Sequence, residues 1–427
     1  MTCSDESSDL HFEYGRYKPA FFSITVNTSH RFDNIANLPK EVQPTFFHEY
    51  FHFIQNITTP SGINSSWNSL DQIRRLIGNA QRQTQPIKLP LTDEDFKQEI
   101  KKQNDALFAL NSDSRLYKDN PDSYQIVNLT LELRPEFDNF SPESRLRFLK
   151  LHLKNDEGNE AKFWFGSFAV HESMTYLIQS KFFGEANAPV YPYLSAKKLL
   201  QYANSPLANN DEMIFALCDV ALLSTTPGKS FWDVLLYVTH SRVEITDPEQ
   251  IYELAMNYYS EHGYNIEQSF SKDKDSLLNV ISQLYGHEIF QYDLKWLNVI
   301  IEEGFQLRST HPLFMLDLYR GNEAFSGMFY FIFLKLGTPD IINLSGERWI
   351  SVPGSIKEIE TKVSSVFLSV YNEWHELLLK DKKGCGLQQV CRMSEPKMPV
   401  DDNCKDSPWL KRNDEPVCPY AAIMHVF

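Results

Sequence analysis

Apolar positions along the chain repeat with two periods. Ala20 to Val26 (Ala-Phe-Phe-Ser-Ile-Thr-Val) is rich in aromatic and β-branched residues and runs into Asn27, Thr28 and Ser29, so it predicts a strand and its turn. Tyr124 to Leu133 and Arg147 to Leu153 alternate apolar with polar side chains and predict two more strands, which with the first would make a small sheet. Helical spacing fills most of the rest. One helix is expected from Pro44, a residue favoured in a first helical turn, to about Ile57, where Thr58-Thr59-Pro60-Ser61-Gly62 ends it. Two more fall at about 66 to 82 and 92 to 110. From Phe163 onward helices are expected at about 163 to 182, 194 to 203, 210 to 224, 230 to 239, 248 to 262, 274 to 303, 322 to 336 and 356 to 380, with one late strand at Arg348 to Val352. The pattern predicts an α+β fold, predominantly α: a small N-terminal sheet with its helices over residues 1–184, a larger helical lobe over 185–380 and a tail over 381–427.

Composition narrows what such a fold would do. At 427 residues the chain exceeds the roughly 250 to 300 at which one core stops growing, which is why two lobes are expected. A net charge of -15 repels a phosphate backbone, so nucleic acid is not an expected partner. Met1 to Leu10 has neither a basic nor an apolar stretch, so no signal peptide is visible and the expected compartment is the cytoplasm. The longest apolar run, Gly327 to Leu334, is less than half the ~20 residues that span a bilayer, and no membrane partner is expected.

The chemistry is concentrated in the first long helix. His48-Glu49-Tyr50-Phe51-His52 puts two imidazoles one helical turn apart on one face, a separation a tetrahedral zinc ion can bridge, with Glu49 projecting beside them. From Phe46 to Ile57 the strongly polar side chains are His48, Glu49, His52, Gln55 and Asn56, while seven aromatic and aliphatic residues cover the rest. Such a helix is buried nearly all round, and two imidazoles and a carboxylate buried without partners would cost several kcal/mol. A compensating ion or hydrogen-bond network is therefore expected there.

At this point the chain resembles the zincin metallopeptidases, on the HExxH helix, the strand before it and a downstream glutamate helix, over about Ala20 to Phe183. The resemblance implies one catalytic zinc, His48 and His52 as ligands, Glu49 as the base that takes a proton from the attacking water, and a protein or peptide substrate held in extended form against a sheet edge. In the gluzincin branch the third ligand is a glutamate on a second helix. Glu172, within Phe165-Gly166-Ser167-Phe168-Ala169-Val170-His171-Glu172-Ser173, is the matching residue, and Gly166, Ser167, Ala169 and Ser173 would let the two helices approach closely. The 119 residues between His52 and Glu172 depart from the thermolysin-like spacing, and His171 is a rival. The further Gly and His of the metzincins are absent. An oxyanion donor is also needed; Tyr176, His240, Arg242, His287 and His311 are candidates, and the sequence singles out none.

Other readings have weaker anchors. Gly228-Lys229-Ser230 lacks the first glycine of a phosphate loop, where Leu223 stands, and neither Gly-x-Ser-x-Gly nor Gly-x-Gly-x-x-Gly occurs. Glu49-x-x-His52 also fits the motif of ferritin-like di-iron bundles, but the second motif fails at Thr175 and Gln291. A third class is an interaction or toxin-like protein whose metal is structural. Four of six cysteines, Cys385, Cys391, Cys404 and Cys418, crowd a polar, proline-containing tail; a second, structural zinc, free thiols and disulfides all remain open there, because no Cys-x-x-Cys knuckle is present.

Overall fold

The computed structural model describes residues 15–82, 124–133, 147–363 and 385–425, apart from 20–21, 34, 186–187, 326, 394–398 and 412–416, together with single residues 98 and 370. It is α+β and mainly α, 63% helix and 11% strand. Among the described residues no helix is long and apolar enough to cross a membrane.

The strands form two sheets rather than one. β1 (Gly15–Lys18) pairs antiparallel with β2 (Ser23–Val26), β2 runs parallel to β6 (Asp340–Ile342), and β6 pairs antiparallel with β7 (Arg348–Trp349). β3 (Gln125–Leu133), β4 (Arg147–Lys154) and β5 (Glu160–Phe165) make a separate antiparallel sheet. The strand expected over Ala20 to Val26 thus joins a segment more than three hundred residues away, as Ser23 opposite Asp340. Alternation tells which face of a strand is buried and carries no information about its neighbour.

Helices α1 (Gln43–Thr58) and α2 (Pro60–Arg82) follow the first hairpin. After the second sheet come α3 (Ser167–Phe183), α4 (Val190–Tyr193), α5 (Ser195–Tyr202), α6 (Asp211–Leu222), α7 (Pro227–His240) and α8 (Pro248–Glu261). Then α9 (Ile266–Leu284), α10 (Gln291–Thr310), α11 (Phe314–Arg320) and α12 (Met328–Leu336) complete the helical part, and the tail carries α13 (Gln388–Met393), α14 (Asn403–Asp406) and α15 (Pro419–His425).

Three expected boundaries are corrected. Residues 160–165 are strand β5, and α3 begins only after Gly166. The helix expected over 274–303 is two, because the chain turns at Tyr285-Gly286-His287, where His287 accepts the Ile289 amide and caps a short 3₁₀ turn. The helix expected over 322–336 starts at Met328, after Gly327 at φ 54°, and α11 precedes it. Most of the helix expected over 92–110, and most of the part of 356–380 beyond a 3₁₀ helix at Gly354–Lys362, lie outside the described residues.

One hydrophobic cluster runs from Phe22 and Ile24 in the first sheet through the α1 aromatics to Tyr420 in the tail. α1 is its axis: Phe46, Phe47, Tyr50, Phe51, Phe53, Ile54 and Ile57 are fully buried. α10 lies against the C-terminal turn of α1 at Gly304, where a Cβ would sit 2.4 Å from the Ile57 carbonyl oxygen, so only glycine permits that approach. Four residues on, the buried Arg308 donates to the Thr58 carbonyl at 3.1 Å and to both oxygens of buried Asp219 at 2.8 and 2.9 Å. Removing one member of such a pair costs about 3–5 kcal/mol, because the other is left charged and dry.

Candidate metal centre

α1 is fixed on several sides by rings. Phe47 meets Phe182, Phe183, Phe325 and Phe329 at centroid distances between 5.4 and 5.9 Å, and the Tyr50 hydroxyl donates to the Gly337 carbonyl at 2.7 Å. The remaining stripe of α1 carries His48, His52 and Gln55, and α3 crosses it. Residues 171, 172, 175 and 179 of α3, spaced as one helical face, meet that stripe. Of the small residues expected between the helices, Ser167 bonds Ser61 of α2, and Ser173 bonds Pro192 and Ser195, so these two seat α3 against other neighbours.

His48, His52 and Glu172 come together. One ligand atom from each lies within 4.8 Å of the others, and among the described residues this is the group of three or more metal-type side chains that does so. The two Nε2 atoms are 3.1 Å apart; Glu172 Oε2 is 3.2 Å from His48 and Oε1 3.4 Å from His52. Glu49 stands beside this group without joining it, and His171 is one step removed, its Nδ1 on Gln55 Oε1 at 3.1 Å.

The hydrogen bonds behind the histidines define what faces inward. His48 Nδ1 is 2.8 Å from Gln179 Oε1, and His52 Nδ1 is 2.9 Å from Gln55 Oε1. Gln55 is held in that orientation because its amide nitrogen donates to the His171 carbonyl at 3.3 Å. An amide oxygen only accepts, so both Nδ1 atoms carry the proton and both Nε2 atoms present bare lone pairs. Two lone pairs and a carboxylate then converge in a buried space, and Glu172 Oε2 has no donor. That arrangement is repulsive unless positive charge lies at its centre, and two imidazoles with one carboxylate are a donor set suited to zinc. The residues fit the ion that the sequence pattern implies.

Electrostatics agree. Burial alone would raise the Glu172 carboxyl; positive charge facing it, whether protons on the two rings or an ion in their place, outweighs burial and holds the group well below the usual carboxylate range. Burial lifts Glu49 to about 7, with Glu172 adding to the rise and His48, the Tyr17 amide and Arg16 opposing it. Desolvation, with His52 beside it, pushes the His171 imidazole down to about 3, so this ring stays neutral. Each ligand imidazole keeps 11% of its side chain exposed, which leaves a route from solvent.

Two neighbours were invisible in the sequence. β1 is the outer strand of its sheet among the described residues, and Gly15 sits against Glu49: a Cβ there would lie 3.0 Å from Glu49 Cγ and 2.6 Å from Thr45 Cγ2. Tyr193 at the end of α4 has its ring 6.1 Å from that of His48 and 5.9 Å from Tyr176. Of the other oxyanion candidates, His311 pairs with Asp317 at 2.6 Å, His287 caps its 3₁₀ turn, and His240 and Arg242 lie at the end of α7. No family model, curated protein or solved structure matches the chain, so this arrangement is the basis for any functional reading.

Proposed function

We propose that the chain is a zincin-like metallopeptidase acting on a protein or peptide substrate in the cytoplasm. The observation that carries this is the ligand count: His48, His52 and Glu172 give three protein donors, one short of a closed tetrahedral set, with a carboxylate beside them that is not a donor. Three ligands and an open position distinguish catalytic zinc sites from structural ones, and a di-iron centre would need several more carboxylates.

Bound zinc supplies a Lewis acid and lowers the pKa of a water to ~7. Gln55 and Gln179 hold the imidazole tautomers that leave Nε2 free to ligate. Glu49 takes the proton of the attacking water and delivers it to the leaving amine, a role its buried, raised carboxyl suits. An extended substrate segment lies along β1, which Gly15 brings close against Glu49. Tyr193, close to His48, is the donor to the developing oxyanion.

The test combines metal analysis with unbiased cleavage profiling of a peptide library. Wild type is expected to carry zinc and cut, and Glu49→Gln to carry zinc and not cut. Two irons per chain, or equal turnover in both proteins, would overturn the reading.

A further inference from the structure

The tail brings a second set of soft donors to one place. Cys385, Cys391, Cys404 and Cys418 all line a single cavity, together with Lys411, although 5, 12 and 13 residues separate them in sequence. The space open to the centre of a water-sized sphere is about 10 Å³, room for one ion or one water. Cysteines are often buried simply as small apolar residues. Here, however, they come from three short helices and their leads: Cys385 precedes α13, Cys391 lies within it, Cys404 is in α14 and Cys418 precedes α15.

Burial raises the Cys418 and Cys391 thiols, and two further features would offset that cost for sulfur bound to a metal. Backbone amides are directed at it: Leu387 donates to Cys385 Sγ at 3.3 Å, and the amides of Tyr420 and Ala421 donate to Cys418. The Cys385 amide in turn donates to the Cys404 carbonyl at 2.8 Å, tying the two ends of the ring together. A cation is also buried against the cavity: Lys411 is 3% exposed, with Nζ on the Pro399 carbonyl at 2.7 Å and on Asp401 at 3.0 Å. Four thiolates around a divalent ion carry a net charge of about -2, and an adjacent ammonium offsets part of it.

We propose that Cys385, Cys391, Cys404 and Cys418 bind one zinc ion in a closed structural site that folds the tail. The four thiol protons leave to solvent as the ion enters, and no oxidant or reductant takes part. Loading draws the sulfurs inward to about 2.3 Å from the metal.

The test uses the full chain with cobalt(II) as probe, because thiolate ligands give a near-ultraviolet charge-transfer band that imidazole and carboxylate ligands do not. Its outcome is therefore independent of the triad. Wild type is expected to show the band, lose it to a chelator and regain it when cobalt is restored. Cys404→Ser with Cys418→Ser is expected to abolish it, lower zinc by about one per chain and make the chain beyond residue 380 sensitive to protease. Absence of the band in folded wild type, zinc content unchanged by the serine pair, or two disulfides among these cysteines in protein prepared with reductant and zinc would each overturn the proposal.

Discussion

The triad and the cysteine ring reach a similar donor count by opposite routes. His48, His52 and Glu172 stand on helices of 16 and 17 residues embedded in the main core, whereas the cysteines sit on or beside helices of 6, 4 and 7 residues. Helices that short are unstable alone, so the tail depends on whatever ties its ends together, while the triad is aligned by packing before any ion arrives. The difference also appears in the atoms, since the triad's ligand atoms lie within 4.8 Å of one another and the sulfurs are more widely spread. One cluster is held by the core with its donors in a repulsive arrangement, and the other, under the proposal above, would need its ion to fold.

The largest effect that would break this contrast is loss of the triad's ion. His48→Ala with His52→Ala should reduce peptide hydrolysis on the order of 10⁴-fold or more, while circular dichroism keeps the wild-type helical signal. Collapse of the helical signal instead would mean that the triad, like the tail, needs metal to fold. Glu49→Gln should lower kcat by roughly 10²- to 10⁴-fold with zinc content unchanged, because a proton carrier is lost and no ligand is. A parallel loss of zinc would move Glu49 into the ligand set.

A finer test addresses alignment. Gln55→Leu or Gln179→Leu removes the acceptor that fixes a histidine tautomer, and should weaken zinc binding about 10- to 100-fold, read by competition with a chelating dye. Cobalt bound at the cysteines should be unaffected. Unchanged affinity in both variants would mean that packing alone orients the imidazoles.

How much of this was legible in the sequence follows from the same physics. His48, Glu49 and His52 could be read because one helical turn fixes their geometry, and Glu172 because a carboxylate in an apolar helix needs a reason. Gln55 and Gln179 could not, since nothing local shows an amide reaching a histidine on its own or another helix. Phe163-Trp164-Phe165 looks like the start of a helix because a short apolar run fits either period, yet it closes β5 against β4. Gly286 signals the break between α9 and α10, and Asn265, capping α9 through its side chain, signals where α9 starts, but the continuous amphipathic pattern outweighed both. The pairing of β2 with β6 and the gathering of four cysteines around one cavity are properties of the folded chain, with no short-range trace.

The smallest predicted effect concerns Gly15, and it asks whether β1 positions the base or merely passes near it. An added methyl would sit 2.6 Å from Thr45 Cγ2 and 3.0 Å from Glu49 Cγ, below the separation that carbon atoms tolerate, so β1 or the Glu49 side chain must shift. Thr45 lies in the first turn of α1, where the chain can yield, but Glu49 is buried and receives the Tyr17 amide from the same strand. A displacement of about 1 Å in a proton carrier can cost up to 10²-fold in rate. Because part of the strain relaxes through β1, Gly15→Ala should lower kcat about 10-fold and leave zinc affinity within about 2-fold, since neither contact touches a ligand. The expected signature is a fall in kcat at constant metal content, with Glu49→Gln in the same background adding less than it does alone, as for two changes acting through one group. If the two losses multiply, Gly15 acts on substrate binding along β1 rather than on the carboxylate. If zinc is lost as well, the strand supports the ligand helix, and the triad is less independent of its surroundings than its packing implies.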